Sequence, residues 1–165
     1  MAGGVFGSVR EKYNYITLKL IETGTTITTM ESCTSGQVAS LITDTEGSSA
    51  VFKGSYVTYS NEMKIRCGVP ADVINDYGVY SEQTAIAMAE TCRRSLNADI
   101  GVGVTGSFGN VDPNNADSIP GEVFFAISSL GPTRSFHCTV PAQSSRFAYK
   151  MYMADVIADA LIDLL

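Results

Sequence analysis

The stretch Thr25-Thr26-Ile27-Thr28-Thr29-Met30-Glu31-Ser32-Cys33-Thr34-Ser35-Gly36 decides the fold of this chain. Its first half is a β-branched run suited to a strand. Its second half is a turn of small polar residues that opens onto the helical spacing of Val38, Leu41 and Ile42. A strand leaving through such a turn into a helix puts backbone N–H groups and side-chain hydroxyls at the strand's carboxyl end, where open α/β sheets bind ligands. By itself the segment also fits an ordinary helix start capped by Ser or Thr.

Upstream, Val9, Tyr13, Ile16 and Leu20 recur at helical spacing and stop before Gly24, so a helix precedes a strand over 25–30. Downstream, Gly47 ends the second helix, and residues 50–59, rich in Val, Phe, Tyr and Thr, read as a strand. Asn61 is placed to cap a short helix carrying Lys64, and Pro70 suits the first turn of another. Ser81 caps the clearest helix, with Ala85, Met88, Ala89, Cys92 and Leu96 along one face. Ile100, Val102 and Val104 then alternate with small residues in a strand ending at Thr105-Gly106. After a loop dense in turn residues, 122–128 and 134–140 read as two strands joined at Gly131-Pro132. A helix from about 144 to the end is expected to bury Phe147, Met151, Ala154, Ala158, Leu161 and Leu165. This order predicts an α/β fold, a mixed sheet of about five or six strands with helices on both faces.

A chain of 165 residues, 45% of them hydrophobic, suits one domain spanning 1–165, with residues 1–8 expected to form a flexible N-terminal extension. The net charge of −6 argues against a surface that grips nucleic acid. A compact anion remains possible through local N–H groups and one or two cations. Cys33, Cys67, Cys92 and Cys138 are widely separated and His137 is the only histidine, so neither a structural zinc nor another metal site is expected, and no cofactor fingerprint is present. The first residues are too polar for a secretory signal and no apolar run reaches the length of a membrane span; the expectation is a cytoplasmic domain with reduced thiols and no membrane partner.

Further motifs follow the opening stretch: Gly47-Ser48-Ser49-Ala50, then Val57-Thr58-Tyr59-Ser60-Asn61-Glu62-Met63-Lys64, Gly68-Val69, Gly78-Val79-Tyr80-Ser81-Glu82, Val104-Thr105-Gly106, Pro120-Gly121-Glu122-Val123 and Arg146. Together they resemble the CinA C-terminal domain family, the nicotinamide-nucleotide amidohydrolases, over roughly residues 9–165. The resemblance implies a three-layer α/β/α domain. It also implies an activity, hydrolysis of the carboxamide of nicotinamide mononucleotide to nicotinate mononucleotide and ammonia, with a pyridine nucleotide as the small-molecule partner. Some members carry an additional N-terminal domain, for which this chain is too short.

Such a reaction needs a nucleophile, a base and a donor for the leaving amine. His137, beside Cys138 on a predicted strand, reads as a structural histidine, which leaves lysine as the base. A lysine near a serine in a desolvated pocket can have its pKa lowered enough to accept the serine proton. By resemblance Lys64 is that lysine, and Tyr59 relays a proton or orients the amide. Three serines compete as nucleophile. The Gly-Ser-Ser turn is favoured, Ser49 ahead of Ser48, with Ser32 as a hydrogen-bonding partner, while Cys33 reads as a small buried residue. Glu31, Thr34, Gly36, Thr105, Gly106 and Arg146 are the expected substrate-binding residues, with Arg146 placed to meet phosphate.

Two departures from the family pattern stand out: Ser35 where the first motif ends in two glycines, and the loop 107–118 where the family has I-A-G-P followed by a glycine-rich stretch. They leave two alternatives open, a non-catalytic nucleotide-binding or regulatory module and a serine–lysine hydrolase of another small amide. Val51, Phe52, Tyr56, Phe124 and Phe125 suit a core or the interface of a homodimer or higher homo-oligomer.

Overall fold

The structure, a computed structural model, describes residues 6–165. Most of the expected flexible extension, residues 1–5, lies outside the described residues; Ser8 accepts a hydrogen bond from the Glu11 N–H and caps the first helix. Twelve elements follow one another among the described residues. Helix α1 (Val9–Thr23) leads into strand β1 (Ile27–Glu31), helix α2 (Gln37–Thr43), a 3₁₀ turn (Ser48–Ala50) and strand β2 (Tyr56–Val57). Helices α3 (Asn61–Arg66), α4 (Ala71–Tyr77) and α5 (Glu82–Ser95) follow, then strands β3 (Ile100–Gly106), β4 (Glu122–Ser128) and β5 (Arg134–Thr139), and helix α6 (Arg146–Ile162).

The five strands form one mixed sheet in the order β2-β1-β3-β4-β5. β1 is parallel to both neighbours, while β4 runs antiparallel to β3 on one side and to β5 on the other. On one face, Val102, Val104, Phe125 and Ile127 pack with Tyr13, Ile16 and Leu20 of α1 and with Met153, Ile157 and Leu161 of α6. On the other face α5 lies directly on β3. A Cβ at Gly101 would stand 2.3 Å from the Ala89 carbonyl, and one at Gly103 2.4 Å from that of Ala85. The alternation in Ile100-Gly101-Val102-Gly103-Val104 is thus a division of labour: valines fill the core of one layer, and glycines let the helix backbone of the other approach.

Three sequence expectations change. The extended segment 50–59 touches β1 at two places rather than forming one strand. Val51 turns into the core while its carbonyl accepts from the Ile27 N–H, and pairing resumes only at Tyr56 and Val57 beyond Gly54. Helix α6 buries Met153, Ala154, Ile157, Ala158, Ala160 and Leu161, so its inward face is rotated from the expected one. Phe147 is exposed, because the first turn of α6 stands beyond the core at the mouth of a pocket. Val51 and Phe125 are core residues and are unavailable to an interface, whereas Phe52, Tyr56 and Phe124 are partly buried. No helix among the described residues is long and apolar enough to cross a membrane.

Candidate active site

The turn after β1 is held from beneath by Glu31. Its buried carboxylate accepts hydrogen bonds from the Thr29 and Thr34 hydroxyls at 2.9 and 2.7 Å and from the Val38 and Ala39 N–H groups, both at 3.0 Å. The last two belong to the first turn of α2, so the acid satisfies donors the helix leaves free and sits at its positive end. Four donors offset the cost of removing a carboxylate from water. Glu31 and Thr34, expected to bind substrate, are therefore structural: both are buried and spent on each other. Between them and α2, Ser35 (φ 50) and Gly36 (φ 91) are successive left-handed residues that swing the chain into the helix. The family's two glycines at this point follow from that geometry, and Ser35 carries the steric cost of its Cβ. Gly36 thus shapes the turn and does not line the pocket.

Ser32 projects from the same turn. The Lys64 ammonium of α3 donates to Ser32 Oγ at 3.0 Å and to the Thr58 carbonyl at 2.9 Å. Ser60 aims this short helix by capping it, its Oγ accepting from the Met63 N–H. Lys64 is only 1% exposed, and burial pushes its pKa down from 10.5 to about 8 against the opposing attraction of Cys33 and Asp112. Cys33 is buried as well, and desolvation raises its thiol to about 12, leaving it unreactive.

Ser48 and Ser49 are not part of this arrangement. The 3₁₀ turn that holds them packs beside α1 at the amino end of β1, next to the Ile27 to Phe52 bridge, whereas Ser32 follows its carboxyl end. The length of β1, about 13 Å, separates the two turns. The preference for Ser49 is corrected accordingly: a parallel neighbour enters at the opposite end of the sheet from the one where the first strand leaves.

A cavity of about 520 Å³ opens over Ser32. It is lined by Ser32 and Cys33, by Tyr59, Ser60 and Asn61, by Tyr80, by loop residues 106–108, 110 and 112–115, and by Arg146. Arg146, the first residue of α6, donates to Tyr59 Oη at 3.1 Å and to Asn110 Oδ1 at 3.3 Å, with its guanidinium 5.5 Å from the centre of the Phe108 ring. Tyr59 is exposed at the cavity and paired with the arginine. Gly106 lines the cavity as expected, but Thr105 is buried with its hydroxyl donating to the Val79 carbonyl. Sequence reasoning gave no site role to Tyr80, Asp112 or Asn115, and it made Asn61 the cap of α3, a position that Ser60 takes while Asn61 donates to Asn115 Oδ1. Their only signals were their places in the resembling motifs and in the divergent loop. His137 lies on β5, stacked on Phe124 and bonded to Glu122, and takes no part in the cavity. Among the described residues no three His, Cys, Asp or Glu side chains converge on a metal site.

Comparison with known proteins places this arrangement. The chain is 28% identical to the competence/damage inducible protein CihA of Agrobacterium tumefaciens, whose crystal structure matches with a TM-score of 0.86 over 96% of both chains. It is 35% identical over 137 residues to a CinA-like protein of Gemmatimonas aurantiaca, covering 82% of this chain and 31% of that protein. It is 42% identical over 107 residues to one of Kosmotoga olearia, covering 64% and 26%. The chain therefore spans less than a third of the length of these curated relatives. The family model for the CinA C-terminal domain matches residues 10–163, and with the α/β/α architecture and the turn motifs in place, the chain belongs to the CinA C-terminal domain family.

Proposed function

We propose that this domain is an amidohydrolase that releases ammonia from nicotinamide mononucleotide, with Ser32 as nucleophile and Lys64 as base. The observation that carries this reading is the Lys64 Nζ to Ser32 Oγ contact of 3.0 Å, made by a lysine buried deeply enough to lose its proton near pH 8. In the neutral state the amine accepts the Ser32 hydroxyl proton while Oγ attacks the carboxamide carbon. As the tetrahedral intermediate collapses, Lys64 returns that proton to the departing nitrogen, which leaves as ammonia, and Ser32 is left as an acyl ester. Water, deprotonated by the same amine, then attacks the ester carbonyl. Lys64 passes that proton to the departing serine oxygen, and the second water proton, lost as the product acid ionises, is taken up by the ammonia, so that a carboxylate and ammonium leave free Ser32.

The cavity supports a nucleotide-sized substrate. Arg146 stands at the rim with the geometry to meet a phosphate by charge and paired N–H groups. Tyr80, half-buried, offers aromatic surface in the same cavity. The test is ammonia release from nicotinamide mononucleotide by the parent, Ser32→Ala and Ser49→Ala. Ser32→Ala is expected to lose at least about 10²-fold in kcat/KM while Ser49→Ala stays near the parent. The opposite pattern rejects Ser32 as the nucleophile, and no ammonia from the parent rejects the amidase reading.

A further inference from the structure

Two side chains of opposite charge line the cavity, Arg146 at the rim and Asp112 in the loop that departs from the family pattern. Asp112 is held in place. Its Oδ2 accepts from the Tyr80 hydroxyl at 2.5 Å and from Asn115 Nδ2 at 2.6 Å, and its Oδ1 accepts from the Asn114 N–H at 2.9 Å. Asn115 is tied in turn to Asn61 at 2.9 Å, and the Asp112 N–H donates to Ser118 Oγ at 2.8 Å. Among the described residues it forms no salt bridge.

A fixed carboxylate here is costly to the chemistry proposed above. It favours the protonated form of Lys64, and it repels the phosphate that Arg146 is placed to attract. Burial alone would raise its own pKa, yet the hydrogen bonds from Tyr80 and Asn115 outweigh that and keep it ionised. Those costs are offset if the ligand itself brings a positive charge to the carboxylate. A pocket with a cation at one end and an anion at the other matches a zwitterion.

Resting on the amidase reading, we propose that Asp112 is a specificity-determining residue: its carboxylate faces the cationic ring of an oxidised pyridinium nucleotide and selects it over the neutral dihydropyridine form. Both forms carry the same phosphate and the same carboxamide, so Arg146 and Ser32 treat them alike. The formal ring charge is the group Asp112 can read.

The experiment compares kcat/KM for oxidised and reduced nicotinamide mononucleotide in the parent, Asp112→Asn and Asp112→Glu. The intrinsic difference in amide reactivity cancels between variants. Asp112→Asn is expected to lower the oxidised-to-reduced ratio on the order of tenfold, while Asp112→Glu, which keeps the charge, holds the ratio near that of the parent. An unchanged ratio in Asp112→Asn, or an equal fall for both nucleotides, overturns the assignment and makes Asp112 a pin for its loop. Should Asp112→Asn fail to fold, the parent ratio is measured from low to 1 M salt: a fall supports the charge contact, and indifference overturns it. A parent that hydrolyses neither form overturns the amidase reading, and the assignment with it.

Discussion

Lys64→Met separates the catalytic and the structural consequences of burying an amine. In the parent the depression from 10.5 to about 8 means that the folded chain gives up about 3 kcal/mol to hold this lysine charged at neutral pH. Between pH 8 and 10.5 the unfolded chain still binds the proton that the folded chain has released. Stability therefore rises with pH across that window, and the cost is present in full below it. Methionine keeps the bulk but has no proton to lose. Denaturant titrations of parent and variant at pH 7, 8, 9 and 10 should show the parent gaining on the variant by about 2–3 kcal/mol, with other alkaline titrations common to both. At pH 7 the two lie closer together than removal of a buried charge suggests, because Ser32 Oγ and the Thr58 carbonyl lose their donor. Ammonia release should fall at least about 10²-fold in the variant. In the parent, kcat/KM should climb about tenfold per pH unit up to about 8 and level off above it, as a base active in its neutral form requires. Parallel stability curves, or parent-level turnover by Lys64→Met, would refute the argument.

Arg146→Ala should weaken nicotinamide mononucleotide binding by about one to two decades, as loss of a charge-assisted phosphate contact implies, and affect the unphosphorylated riboside far less. Calorimetric titration with both ligands measures the difference, and equal losses would place Arg146 in the pocket wall alone. Ser35→Gly relieves a side chain held at φ 50 and should leave the unfolding free energy unchanged or raise it by up to about 1 kcal/mol after the greater unfolded-state entropy of glycine is offset, read as an unchanged or higher thermal midpoint. A clear loss of stability would show that the Ser35 side chain supports the turn.

The strand, turn and helix order was legible because each element carries a local signature. Ser8, Ser60, Ser81 and Ser145 each accept a hydrogen bond from a first-turn N–H of their helix, and the helix read from Ser81 onward matches α5. The Val and Gly alternation of β3 marked a strand, and the structure adds why the small residues are glycines: α5 lies against them. The rotation of α6 was not legible, because Phe147 and Leu165 continue the apolar spacing beyond the last layer of the core, where nothing covers them.

By itself the sequence determined the family and the α/β layering, since periodicity, capping and motif spacing act within a few residues of chain, and the family motif drew attention to Lys64. Only the tertiary structure decided which serine that lysine meets. Ser32 and Ser49 are equally plausible along the chain, but parallel pairing of β2 with β1 sends their turns to opposite ends of the sheet, and α3 returns Lys64 to one of them. Glu31 is a local case: its donors Thr29, Thr34, Val38 and Ala39 all lie within eight residues of it, and the folded turn into α2 aims them at its carboxylate. A side chain's role depends on which donors and charges reach it through space, and the Lys64 to Ser32 and Tyr80 to Asp112 contacts each join residues 32 apart in sequence.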